Sequence, residues 1–170
     1  MSLIATVLAI VSVTMVAEGG VSGRHERLLR ARGAVEPGED PYRIMRFAYP
    51  GCFLAMAVEG MLAGPGSNGA VAIGVGLWAL AKALKWWAMA SLGVRWSFRV
   101  LVLPGEPLVR AGPYRYLRHP NYLAVCGELI GIAIALAAPA TGTIALVGFG
   151  GLMLRRIRIE ERALGLRQGE

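Results

Sequence analysis

Apolar residues run through this chain in five long stretches, at about residues 2–17, 45–63, 68–90, 122–138 and 140–154, with polar connections between them. A helix crossing the roughly 30 Å hydrocarbon core of a bilayer needs about 20 such residues. The third stretch meets that length and the fifth is short of it. The pattern predicts an all-α integral membrane protein with five transmembrane helices, the last two forming a helical hairpin. The whole of 1–170 reads as one domain, without internal repeats or low-complexity tracts.

The polar residues give the order a direction. Six Lys or Arg lie between Arg24 and Arg46, five between Arg95 and Arg118, and five between Arg155 and Arg167. The connections at 64–67 and near Pro139 carry none, and apart from Arg46 at the edge of the second stretch only Lys82 and Lys85 fall inside one. Alternation of this kind is what positive-inside insertion leaves behind. It predicts an outside N-terminus, a cytosolic C-terminus and three basic segments gathered on one cytosolic face. The excess of 18 basic over 11 acidic residues, a net charge of +7, is thereby a topology signal, and no nucleic-acid partner is expected. Residues 2–17 lack the charged start and small-residue cleavage site of a secretory signal.

Composition agrees: 55% of residues are hydrophobic before any of the 23 glycines is counted, against about 45–50% with glycine included in globular proteins. Gly127 and Gly131 form a GxxxG pair suited to close helix packing. Cys52 and Cys126 lie within apolar stretches and imply no disulfide, and no metal site is expected. Trp78, Trp86, Trp87 and Trp96 read as interface anchors, and Leu28 and Leu29 among Arg24, Arg27, Arg30 and Arg32 as an interfacial helical stretch.

Three ionised side chains within the apolar stretches need partners, since a charge near the bilayer centre costs about 2.5–3.5 kcal/mol on insertion scales. Lys82 and Lys85 share a helix face, and Lys85 and Glu128 lie at similar depth. Glu128 is therefore expected to pair with Lys85 or Lys82, or to share a wet cavity with them; snorkelling of the lysines to the headgroups is the competing expectation. Glu59, near the outer end of its stretch, is expected to be solvated at the interface.

Two polar clusters carry candidate chemistry. In the long connection before the fourth stretch, Gly112 and Pro113 form a turn followed by Tyr114, Arg115, Arg118, His119, Pro120, Asn121 and Tyr122. Pro120 suits the first position of a helix, whose free amides favour an anion. Arg118 can fork onto a carboxylate, and His119 can hydrogen-bond or shuttle a proton. After the fifth stretch, Arg156 and Glu160 share one helix face, as do Ile157, Glu161 and Leu164. On spacing alone, a basic flank with interfacial tyrosines and a protruding helix with surface ion pairs explain the same residues.

Together, GPYRYLRHPNY at 112–122 and RIRIEERAL at 156–164, separated by a hairpin and preceded by LGxxWS at 92–97, resemble the paired signatures of the isoprenylcysteine carboxyl methyltransferase family and its phospholipid methyltransferase relatives. The resemblance covers about residues 92–164. The ARGAVEPGEDPY stretch is similar to bacterial members, some associated with methylating long-chain phenolic lipids made by polyketide synthases. The resemblance implies a membrane enzyme with its site open to the cytosol that uses S-adenosylmethionine and releases S-adenosylhomocysteine; the Ala-, Gly- and Arg-rich composition suits a bacterial inner membrane. It implies cofactor contacts from Gly112, Tyr114, Arg118, His119, Pro120, Tyr122, Glu160 and Glu161, with Arg118 and Glu160 central to catalysis. It also implies a lateral path for a lipophilic acceptor bearing a phenol, an enol-like oxygen or a carboxylate; the oligomeric state is left open.

Relatives commonly continue after the double glutamate with an FGxxYxxY-like tail that closes over the cofactor, whereas ALGLRQGE follows here. Either Gly20–Tyr42 serves as the lid or the pocket is more open. Two other readings fit the architecture: an NADPH-dependent reductase of sterol-reductase-like fold, and a non-enzymatic adaptor whose basic face binds anionic lipid.

Overall fold

In the computed structural model, residues 3–64 and 66–166 are described, and they form five α-helices: α1 (Leu3–Ala31), α2 (Tyr42–Ala63), α3 (Asn68–Leu92), α4 (Pro120–Ala135) and α5 (Pro139–Ala163). Among the described residues there is no β-strand, only an isolated antiparallel bridge between Val35 and Val102. Two segments, Leu3–Ala31 and Asn68–Arg95, are long and apolar enough to cross a membrane. The outward faces of the others are greasy as well: Phe47 and Leu62 on α2, Leu123 on α4, and Ile144 and Val147 on α5 are all exposed.

The helices start and stop where local chemistry dictates. Ser67 caps α3 by accepting from Ala70 N at 3.2 Å, and Pro120 and Pro139 stand at the first positions of α4 and α5, where a missing N–H costs nothing. Two boundaries differ from the apolar pattern. The first helix does not end near residue 17: it runs unbroken to Ala31, so the Arg-rich stretch continues the same helix. The fifth continues past residue 154 to Ala163, carrying Arg156, Glu160 and Glu161 out of the apolar region on a rigid support.

α3 and α4 make the most extensive helix–helix contact, and glycine makes it possible. A Cβ on Gly131 would stand 2.7 Å from the Trp78 backbone nitrogen, and one on Gly127 would stand 2.9 Å from Ala81 Cβ. The GxxxG pair is thus the seam on which α4 lies against α3. Phe53, Met56, Leu129 and Ile132 fill the core between α2 and α4.

Glu59 remains part-exposed, and it has partners besides solvent. Its carboxylate accepts from Ala140 N at 3.0 Å, Thr141 N at 2.7 Å and Thr141 Oγ1 at 2.5 Å, capping α5 from α2. The amides that begin a helix have no intrahelical acceptor, and a negative charge there also meets the positive end of the helix dipole. Trp86 and Trp87 are exposed, but Trp96 is buried and serves as packing, not as a surface anchor.

The buried charges close into a ring. Lys82 Nζ lies 2.7 Å from Glu18 Oε1 and 2.8 Å from Glu128 Oε2; Lys85 Nζ lies 2.7 Å from Glu18 Oε2 and 3.3 Å from Glu128 Oε1. Tyr49 Oη donates to Glu128 Oε2 at 2.7 Å. Glu128 pairs with both lysines, and Glu18 is the further member that the shorter reading of the first helix left outside the apolar stretch. Two positive and two negative charges cancel, tying α1, α3 and α4 together with α2 attached through Tyr49. Breaking a buried pair by removing one partner costs about 3–5 kcal/mol. Glu128→Gln in detergent-solubilised protein is therefore expected to lower the thermal midpoint by many degrees; an unchanged melting curve would contradict the cluster's structural role.

Candidate functional site

The site forms where the connection between α3 and α4 meets the far end of α5. Gly112 opens a single 3-10 turn, Gly112–Arg115, at φ +56. A side chain there would run into Ser91 and Trp87 of α3, so glycine is required both by the left-handed backbone and by the close approach. Pro113 is buried beneath it, and Leu117 N returns to Pro113 O at 2.9 Å. His119 then occupies the residue before α4, and the first-turn amides of Asn121 and Tyr122 have no acceptor within the helix.

A cavity of about 190 Å³ lies here, and Tyr114, Arg118, His119, Asn121, Tyr122, Arg156, Glu160 and Leu164 are among its walls. Tyr122 Oη donates to Glu160 Oε2 at 3.0 Å, and His119 Nε2 lies 3.2 Å from Glu161 Oε1. His119 Nδ1 lies 4.0 Å from Glu160 Oε2. One imidazole thus sits between the two carboxylates, its ring 5.6 Å from that of Tyr122. Arg118 is exposed at the rim, and among the described residues no carboxylate pairs with it. Burial, reinforced by the nearby Glu160 carboxylate, pushes the Tyr114 phenol well above its ordinary value, so Tyr114 presents a neutral ring and hydroxyl.

Of the residues singled out by sequence, Tyr114, Arg118, His119, Tyr122 and Glu160 share this one cavity. Glu161 touches it through His119. Gly112 and Pro120 do not line it and shape the backbone that does. Arg156 and Asn121 carry more than the motif reading assigned them. Arg156 is buried, with Nη2 donating to Phe98 O and Nε 3.7 Å from Asp40 Oδ1. Asn121 Oδ1 accepts from Trp96 Nε1 at 3.4 Å. The signal for Arg156 was present, one helical turn before Glu160; Asp40 and Phe98, its partners, are distant in sequence and carried none.

The cavity's roof is the connection itself, from Arg95 to Val109. Of Gly20–Tyr42 only Leu29 reaches the cavity, so that segment braces the roof instead of forming it. Ser22 Oγ accepts from Phe98 N at 2.8 Å, His25 Nδ1 donates to Trp96 O at 2.8 Å, and Asp40 Oδ2 accepts from Val100 N at 2.9 Å. Val35 and Val102 exchange backbone hydrogen bonds at 2.9 and 3.0 Å. Glu36 joins Arg30 to Arg99, and Glu106 joins Arg32 to Arg95.

Partial burial pushes the Glu36 carboxyl upward, but hydrogen bonds from Arg30 and Arg99 outweigh it and hold the group below its ordinary value. The hydrogen bond to Glu36 in turn holds Arg99 above its own. A lowered carboxyl contributes stability that is complete above its unfolded value and lost as the pH falls through the folded one. These pairs are partly exposed and weak, so Glu36→Gln is expected to cost about 1 kcal/mol near neutrality. Melting curves of the variant and the parent should converge below about pH 4. A gap that persists in acid would place the effect elsewhere.

A family model described as the isoprenylcysteine carboxyl methyltransferase (ICMT) family matches residues 73–165. The chain is similar to the uncharacterized protein YpbQ of Bacillus subtilis, at 31% identity over 92% of this chain and 94% of that protein. It is also similar to an uncharacterized protein of Haemophilus influenzae, at 28% identity over 85% of this chain and 84% of that one. No solved structure matches it.

Proposed function

The chain belongs to the isoprenylcysteine carboxyl methyltransferase family, a family of membrane methyltransferases, and from that premise we propose that it is an S-adenosylmethionine-dependent O-methyltransferase acting on a lipophilic acceptor. The observation that carries the proposal is the shared cavity: Arg118 and His119 from the middle of the matched segment meet Glu160 and Leu164 from its end.

The donor set fits the cofactor. Arg118, unpaired at the rim, suits the methionine carboxylate, helped by the free amides that start α4. Glu160 suits the ribose hydroxyls or the ammonium, and Leu92, Val109 and Leu164 supply apolar wall for the adenine. When bound, the cofactor supplies an activated methyl group on a sulfonium. The chain's own work is placement and exclusion of water: Tyr122 holds Glu160, His119 is held by Glu161, and the braced roof covers them. A carboxylate acceptor is ionised at neutral pH and needs no base, whereas a phenol, with a pKa near 10, does. His119 and Glu160 line the cavity and can take a proton, whereas the Glu106 carboxylate there is held by Arg32 and Arg95.

The setting belongs to the same proposal. Five spans, an outside N-terminus and a cytosolic site on a bacterial inner membrane are supported by the alternation of basic segments and by the exposed apolar faces of all five helices. The acceptor then arrives from the bilayer and the cofactor from water.

The test is binding of S-adenosylhomocysteine to the purified protein in detergent, measured by calorimetry. His119→Ala and Glu160→Ala are each expected to weaken it by at least about tenfold, roughly 1.4 kcal/mol, with NADPH giving no saturable signal. Near-parental affinity in both variants would refute the assignment. Lipid extracts of cells with and without the protein should differ in a species heavier by one methylene.

A further inference from the structure

The arginines of this chain fall into two sets. One set is engaged within the protein: Arg30 and Arg99 by Glu36, Arg32 and Arg95 by Glu106, and Arg156 by Asp40 and Phe98 O. The other set, carried mainly by α1, α2 and α5, is exposed and meets no carboxylate among the described residues. Hardly any carboxylate is left to meet it. Glu18 and Glu128 belong to the charge ring and Glu26 to Arg99. Glu59 caps α5, and Glu160 and Glu161 flank His119. Of the described acidic residues only Glu39, exposed beside Asp40, has no such engagement.

Helical spacing shows where the free set points. On α1 the exposed residues Val13, Val16, Gly20, Arg24 and Arg27 recur every three or four positions and so share one face. On α2 the exposed Val58, Leu54, Phe47 and Arg43 do the same towards the start of the helix. On α5 Ile144, Val147, Leu154, Arg158 and Arg162 do so towards its end. Each stripe is apolar for most of its length and turns to arginine at the end of the bundle that carries the roof. α2 packs against both α1 and α5, so the three stripes are neighbours. α3 contrasts with them: its exposed stripe, Ile73, Leu80 and Trp87, ends in tryptophan, and Arg95 beyond it is taken up by Glu106 and Pro107 O.

A guanidinium that ends an outward apolar stripe stands where acyl chains give way to headgroups, its stem along the apolar surface and its charge beyond it. Arg46 lies over the Phe47 ring at 5.7 Å and Arg115 over the Tyr116 ring at 5.8 Å, cations set against aromatic rings that are themselves exposed. Arg110 and Arg155 are exposed and free as well, and Arg118 faces the candidate cofactor cavity. A zwitterionic headgroup brings its own cation beside its phosphate and gains little from these arginines. An anionic headgroup brings none, and the chain supplies no carboxylate to compete with it. Phe47 and Leu154, exposed just before the arginines, suit acyl chains and not a polyanion arriving from water.

We infer that the outer faces of α1, α2 and α5 form a docking surface for anionic phospholipids, with acyl chains along the apolar stripes and phosphodiesters on Arg24, Arg27, Arg43, Arg158 and Arg162. Anionic lipid then gathers on this side of the bundle and not along α3. It is held by the free arginines and not by the net charge of +7 as such. The inference rests on the membrane setting of the family, not on the chemistry of the cavity.

The test reads lipid selectivity at the protein surface. Full-length protein is reconstituted in phosphatidylcholine vesicles, and spin-labelled phosphatidylglycerol is compared with spin-labelled phosphatidylcholine in the motionally restricted shell seen by electron paramagnetic resonance. Phosphatidylglycerol is expected to be preferred at least about threefold, the preference fading in concentrated salt. Two double variants remove the same formal charge. Arg43→Gln with Arg158→Gln takes free arginines and is expected to lose about half of that preference or more. Arg30→Gln with Arg32→Gln takes engaged ones, leaving Glu36 to Arg99 and Glu106 to Arg95, and is expected to keep it. Equal loss in the two variants would reduce the effect to net charge and overturn the inference. So would a parent without preference, or an undiminished preference once Arg43 and Arg158 are replaced. Soluble glycerol phosphate in excess should leave the labelled lipid in place; displacement would mean a free-phosphate site and overturn the lipid assignment. The measurement needs no cofactor, so a failure to bind S-adenosylhomocysteine would overturn the methyltransferase reading alone.

Discussion

The four charges at the centre of the bundle constrain everything around them. Lys82 and Lys85 project from one face of α3, and neither can be left alone in an apolar interior. Satisfying both requires Glu18 on α1 and Glu128 on α4 at the same height. Hydrophobic contact alone tolerates a helix sliding along its neighbour, because one apolar surface resembles another. A ring of ion contacts near 3 Å does not. The glycine seam brings α4 close to α3, and the charges set the level at which the two stop.

That level is transmitted to the site through rigid helices. With Glu18 anchored, the next turn of α1 places Ser22 under Phe98 N and His25 under Trp96 O, which holds the roof. With Glu128 anchored, the start of α4 lies two turns away and fixes His119 and Tyr122. α5 is located independently, by the Glu59 cap at one end and the Arg156 bridge to Phe98 and Asp40 at the other. Tyr122 and Glu160 consequently meet although 38 residues separate them.

How much of this was legible in the sequence follows from the range of the interactions involved. Helices, glycine seam, prolines and both motif clusters are local features, and their positions emerged from residue order. The pairing of Glu128 with the lysines followed from depth, since a charge in an apolar helix must find a partner. Glu18 was hidden because it stands where the apolar stretch gives way to polar residues, and only the unbroken run of α1 to Ala31 brings it into the bundle. The partners of Glu59 were hidden because nothing in its own helix announces that α5 begins beside it. The roof was least legible: Val35 with Val102, Asp40 with Val100 and Glu36 with Arg99 join two irregular connections more than 50 residues apart, and irregular backbone has no period to read.

The two cavities differ in the way their charges are disposed, and the difference suits two kinds of guest. At the first, Arg118 is exposed and unmatched, His119 is shared between two carboxylates, and the first-turn amides of α4 are free. Such groups favour a polar molecule arriving from water with charges of both signs, because each end finds a partner that was previously only solvated. At the second, a cavity of about 510 Å³ between α1, α2, α4 and α5, every formal charge in the ring is already answered, and methionine, valine and phenylalanine share the remaining surface with Glu26, Arg46, Arg99 and Arg156. Its methionine, valine and phenylalanine surface welcomes an apolar guest by area alone. Phe98, Arg99, Asn121, Tyr122 and Arg156 line both cavities and form the partition between them. It is held by Asp40, Ser22 and Trp96, the same contacts that carry the height of the charge ring up to the roof.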